Sequence, residues 1–107
     1  MSVNKVILLG YVGNDPEMAY PDKDHAIARI SLATNEKTAT GGESTEWHRL
    51  VLFGRNAEIA ERYIRKGTRL YAEGRLKYRE YDDKFKIRRR VAEIIVDNFE
   101  LLGRKEQ

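Results

Sequence analysis

The order of elements in this sequence predicts an all-β fold, a closed five-stranded barrel with one α-helix between the third and fourth strands. Three observations point there. Apolar residues recur with period two along most of the chain. Helical spacing takes over once, across residues 55–67. At 107 residues there is room for one core and no second. An α+β sandwich with the same element order is the alternative.

Each element has its own signal. SVNKVILLGYV is β-branched and apolar, a first strand that ends near Gly10 to Gly13. GNDPEMAYPDKD holds both prolines and reads as a loop. HAIARISLAT alternates Ala28, Ile30 and Leu32 against Arg29, Ser31 and Ala33, a second strand. NEKTATGGES reads as a flexible loop, with Gly41-Gly42 at a hairpin tip. TEWHRLVLFG is the third strand.

RNAEIAERYIRKG is the helix, with Asn56 as the expected N-cap and Glu58 in the first turn. Arg65 and Lys66 are placed in its last turn, and Gly67 is read as the left-handed terminator. Ala57, Ala60, Tyr63 and Ile64 are expected on its apolar face. TRLYAEGRLKYREY returns to period two as strand four, Asp82-Asp83-Lys84 turns the chain, and FKIRRRVAEIIVDNFELL is a long last strand. In about 100 residues this order fits the OB barrel, which takes oligonucleotides or oligosaccharides on the face of its second and third strands.

Composition narrows the function. Residues 65–90 carry 11 Lys and Arg against 4 Asp and Glu, net +7 in a chain whose total is +3. One contiguous segment therefore holds the positive excess, as a polyanion contact requires. The absence of Cys excludes disulfides and thiolate metal ligands and fits a reducing compartment. No run approaches the roughly 18 apolar residues of a membrane span, and MSVNKVILLG lacks the features of a signal peptide. A cytoplasmic protein is expected.

The candidate site lies on strand three. Its alternation sets Trp47, Arg49, Val51 and Phe53 on one face and His48, Leu50 and Leu52 on the other. Leu50 and Leu52 already supply a core face, and Arg49 is costly to bury unpaired, so the tryptophan face is read as outward. Flat rings beside cations suit an unpaired nucleic acid strand, whose bases stack while its phosphates meet the charges. Strand four repeats the pattern with Arg75, Lys77, Arg79 and Tyr81. Arg88-Arg89-Arg90 alternate faces and are as well explained by a solvated edge. His48 and His25 stand apart and make no metal motif, and no nucleophile elbow, phosphate-cradling loop or carboxylate pair is present. Neither a cofactor nor an enzymatic activity is expected. An RNA-binding module and a protein-interaction barrel are the competing binding readings.

MSVNKVILLG, GNDPE, SLATNEK, TEWHRLVLFGRNAEIAERYIRKG, LYAEGRLKYREY and EIIVDNFELL together resemble the bacterial single-stranded DNA-binding protein family, from Ser2 to Gly103. The resemblance implies an OB-fold over residues 1–103 and a homotetramer, with a dimer second. It implies coating of single-stranded DNA in replication, recombination and repair, without catalysis and at the nucleoid. By the same resemblance Trp47, Phe53 and Tyr81 stack bases. Lys5, Arg49, Arg55, Arg65, Lys66, Lys77 and Arg79 meet phosphates, and His48 lies near a subunit interface. Two departures stand out. Thr38 and its neighbours hold no counterpart to a further tryptophan that many members carry. Residues 104–107, read as a short disordered extension, carry Arg104 and Lys105 where family members usually run on into a long acidic-tipped tail that recruits replication and repair enzymes, so these residues themselves are not expected to recruit them.

Overall fold

The structure is a computed structural model that describes residues 1–104. Its elements are β1 (Val6–Val12), β2 (Glu17–Asp22), β3 (His25–Lys37), β4 (Glu43–Phe53), α1 (Arg55–Tyr63), β5 (Thr68–Asp82) and β6 (Arg88–Arg104). The sheet runs β1-β5-β6-β4-β3-β2, and a further pairing of β1 with β3 closes five strands into a ring. This is the expected OB barrel, with α1 between the third and fourth strands of the ring. The pairings are antiparallel except β4 with β6, which run parallel through Leu50↔Ile94 and Val51↔Ile95. The extension expected over 104–107 lies, from 105 onward, outside the described residues.

Alternation decides what the ring encloses. Ala28, Ile30 and Leu32 of β3, Leu50 and Leu52 of β4, Leu70 and Ala72 of β5, and Ile94 and Val96 of β6 meet in one buried cluster. Ala57, Ala60 and Ile64 join it from α1 and the residue after it. Two glycines let strands cross where a side chain would collide. A Cβ on Gly10 would lie 2.1 Å from the carbonyl oxygen of Ala33, where β1 swings from β5 to β3. A Cβ on Gly74 would lie 2.1 Å from that of Ile95, where the β5–β6 register shifts. Upstream of β1, the side chain of Asn4 stands in for a strand: its amide donates to the Leu76 carbonyl (2.8 Å) and its oxygen accepts from the Leu76 N–H (2.9 Å).

Several expectations are corrected. The segment read as a loop over 13–24 contains β2, a short edge strand paired with β3. The hairpin loop read over 35–44 shrinks to a turn at 38–42, because β3 and β4 pair as far as Lys37↔Glu43. The turn after β5 spans 83–87, later than Asp82-Asp83-Lys84. The helix N-cap is Gly54 without a side-chain bond, and Asn56 instead donates to the Asp97 carbonyl at 3.4 Å.

The helix also ends earlier than its sequence pattern. It stops at Tyr63, with Ile64 already extended, and the Arg65 guanidinium takes the freed carbonyls of Glu61 and Ile64 at 2.8 and 2.6 Å. Gly67 does adopt a left-handed φ of 93°, but it serves the connection to β5, where its N–H donates to the Val12 carbonyl. Tyr63 is not core: it is 61% exposed. At about 100° per residue, Ala57, Ala60 and Ile64 lie within a narrow stripe from which Tyr63 is rotated by roughly another 60–120°.

Candidate nucleic-acid interface

The outward faces of β3, β4, β5 and β6 form an open groove of about 390 Å³, with Trp47, Arg49, Arg29, Arg79 and Glu93 in its lining. Backbone register explains the gathering. Ser31 pairs with Arg49 and Ala33 with Trp47, so the outward row of β3 lies beside that of β4. On the far side Lys77 pairs with Glu93, which brings the basic face of β5 to the same groove. Val51 shares this outward face and is nonetheless buried in the groove floor.

Trp47 is 60% exposed. The inner half of its ring rests on the loop after β1: a Cβ on Gly13 would sit 2.4 Å from indole Cζ3 and 2.8 Å from Cη2. That loop is itself fixed to β3, because the Gly13 N–H donates to the Ser31 carbonyl and Asn14 Oδ1 accepts from the Ser31 N–H. The indole is thus held from behind and open in front, the geometry of a stacking platform. Phe53 is exposed on the same strand face, about 20 Å along β4, with Arg55 exposed two residues on. Tyr81 is exposed on the hairpin that continues β5 and β6, with the Arg79 guanidinium 5.6 Å from its ring centre.

The cations expected at the site divide. Arg49 and Arg79 line the groove, and Lys77 faces it from β5. Arg79 is held by Glu93 through two bonds of 3.1 Å, and this partner pushes its guanidinium pKa up further. Arg75 lies along the same strand face but 3.5 Å from Asp97. Lys5, Arg65 and Lys66 lie outside the groove lining. Lys5 pairs with Glu73 at 3.0 Å, and that carboxyl is held below its usual range, first by the hydroxyl of Tyr71 and then by Lys5. Arg65 caps the helix, and the Lys66 backbone N–H donates to Asp15 Oδ1 at 2.9 Å. His48 is half-buried, with Nε2 2.8 Å from Thr34 Oγ1. Among the described residues no cluster of His, Asp or Glu could hold a metal ion, and no helix is long and apolar enough to cross a membrane.

Sequence reasoning missed the polar lining residues Asn14, Glu17, Arg29, Ser31 and Glu93, and Gly13 beneath Trp47. Arg29 was signalled as the charged member of the outward row of HAIARISL. Glu93 was signalled as the lone acid of VAEIIV, whose neighbours fill both faces of a strand. Gly13 and Asn14 carry no pattern of their own; only the ring's closure brings them under Trp47.

An OB ring with a groove of rings and guanidinium groups across its second and third strands defines a class, the barrels that hold oligomeric ligands on that face. Residues 3–102 match the model of the single-strand binding protein family, and the chain belongs to that family. It is 46% identical, over 98% of its length and 69% of the relative's, to a protein named single-stranded DNA-binding protein in Bacteroides thetaiotaomicron. A relative of the same name in Xanthomonas campestris pv. campestris is 41% identical, over 94% of this chain and 61% of that one. The chain thus spans roughly two thirds of the length of these curated relatives. Among solved structures it is similar to a Plasmodium falciparum SSB in complex with ssDNA, with a TM-score of 0.83 and 31% identity over 98% of this chain and 97% of that one.

Proposed function

We propose that this chain binds single-stranded DNA without reading its sequence and protects it during replication, recombination and repair, with no catalytic step. The observation that carries the reading is Trp47, propped on Gly13 yet mostly exposed, beside Arg49 and the groove of Arg29 and Arg79. Bases stack on Trp47, Phe53 and Tyr81, while Arg49, Arg79, Lys77, Arg55 and the more distant Lys5, Arg65, Lys66 and Arg75 neutralise phosphate. Stacking tolerates every base because each has a π-face, so affinity needs no sequence code. The family membership and the names of the relatives support the ligand class. Assembly into a homotetramer, with His48 near a subunit contact, completes the reading.

The test is a titration with oligo-dT. Trp47 fluorescence is quenched on binding, and log affinity falls with log salt at about 0.7 per phosphate contact. Trp47→Ala weakens binding by roughly 1–3 kcal/mol. Unchanged affinity in that variant would remove the site from β4.

A further inference from the structure

Glu93 is an anomaly in a groove assigned to a polyanion. It is 6% exposed and sits among the cations rather than at the rim. Its carboxylate accepts from Nε and Nη2 of Arg79, both at 3.1 Å, and Oε2 lies 3.8 Å from Nε of Arg29. That Arg29 nitrogen is buried and makes no hydrogen bond. Lys77 stands directly across the strand pair from Glu93. One acid thus gathers guanidinium groups from two separate strands, β3 and β5.

The orientation of those groups carries the inference. A guanidinium presents its donors as a flat fork with more than one usable edge. Both arginines turn the Nε side toward the buried carboxylate, yet their side chains remain 44% and 42% exposed. The remaining N–H groups are what is left to face a ligand arriving from solvent. An arginine on an open strand loses rotamer freedom on docking to a phosphate; Arg79 has already given up much of it to its two bonds with Glu93, and Arg29 part of it to the 3.8 Å ion pair. Glu17, across the strand pair from Arg29, is a second acid in the lining, and against these two carboxylates stand Arg29, Arg49, Arg79 and Lys77, so the cluster stays cationic.

We propose that Glu93 is a positioning residue that sets Arg29 and Arg79 as a preformed pair of phosphate forks, and that Arg29 is itself a phosphate contact. The assignment rests on the DNA-binding reading of the groove. It opposes a simple charge count, in which an acid in a phosphate groove competes with the ligand and its removal helps.

Oligo-dT titrations of the full chain across a salt series separate the two. Glu93→Gln keeps the shape and adds one unit of net charge, so competition predicts tighter binding and a steeper salt slope. Positioning predicts the reverse: affinity about 5- to 10-fold weaker near 0.1 M salt, and a slope flatter by about 0.7 to 1.4 as one or two contacts are lost. Equal or tighter binding by Glu93→Gln overturns the proposal. Should that variant fail to fold, Arg29→Gln, altered at a partly exposed position, decides alone. It is expected to bind at least about threefold more weakly with a slope flatter by about 0.7, and unchanged affinity overturns the role of Arg29. A parent chain that ignores oligo-dT would sink the DNA-binding reading itself, a separate failure.

Discussion

Gly13 is defined by the side chain it lacks. Its backbone is not in the left-handed region, so alanine there is unstrained, and the one obstacle is the ring of Trp47. Gly13→Ala should therefore act on the indole alone. The ring is the movable end of a side chain and swings outward, leaving stability within about 0.5–1 kcal/mol of the parent. Binding to oligo-dT should nevertheless fall by about 1 kcal/mol, with a shifted Trp47 emission in the free protein. Equal binding with a displaced emission would show that Trp47 need not be held in place. At this scale the sequence was informative about Trp47, Arg49 and Phe53, since period two and a second apolar face suffice to turn them outward. It was silent about Gly13, since a contact between residues 34 positions apart leaves no local trace.

Elements with one buried face were legible, and elements without one were not. β3 and β4 alternate through their barrel halves and were read correctly there, because burial on one side forces the pattern. β2 is an edge strand with Met18 half-buried, its other residues exposed and Pro21 within it, so composition pointed to a loop. Tyr63 was misplaced because steps of three along a helix drift off the buried stripe, and a helix that stops at its own last turn never brings it back.

The turn after β5 shows how a polar residue organises an element end. Asp83 accepts from the backbone N–H groups of Phe85 (2.8 Å) and Ile87 (3.0 Å) and from Nε of Arg89 (2.9 Å). Ile87 first, then Arg89, hold its carboxyl below the usual aspartate range. The folded turn thus binds this proton less readily than the unfolded chain. Its stabilisation is complete above the ordinary aspartate value, near pH 4, and is lost as pH falls through the lowered folded value. Amide exchange at Phe85 and Ile87 should accelerate on that acid side, and in Asp83→Ala at neutral pH, while Leu50 and Leu70 stay protected. Simultaneous loss of protection across the barrel would mean that the turn is not a separate unit.

On the scale of the molecule, β1 is a strand with one edge left partly open. From Val6 to Gly10 it pairs with β5 alone, and β3 takes up its other edge only at Tyr11 and Val12. Ile7 and Leu9 are exposed on its outward face. An open edge with apolar side chains favours pairing with a copy of itself. Light scattering is expected to give four times the chain mass, and Leu9→Asp a smaller assembly. A monomer mass for the parent chain would reject this. Oligomer size was the least legible property, because it depends on a surface that only the closed ring defines.

The parallel seam of β4 and β6 carries a cost in time. β6 threads between β5 and β4, so the cylinder has no wall there until the final strand exists. Some 44 residues separate the seam partners Leu50 and Ile94. At 5–20 residues per second a ribosome needs roughly 2–9 s to make them. During those seconds the nascent chain trails bare hydrocarbon and unmated strand borders, a natural stopping point for a chaperone. Glu93, the acid around which the groove's arginines gather, leaves the exit tunnel with that same strand, so a chain caught half-made has its cations but not the carboxylate that holds them together.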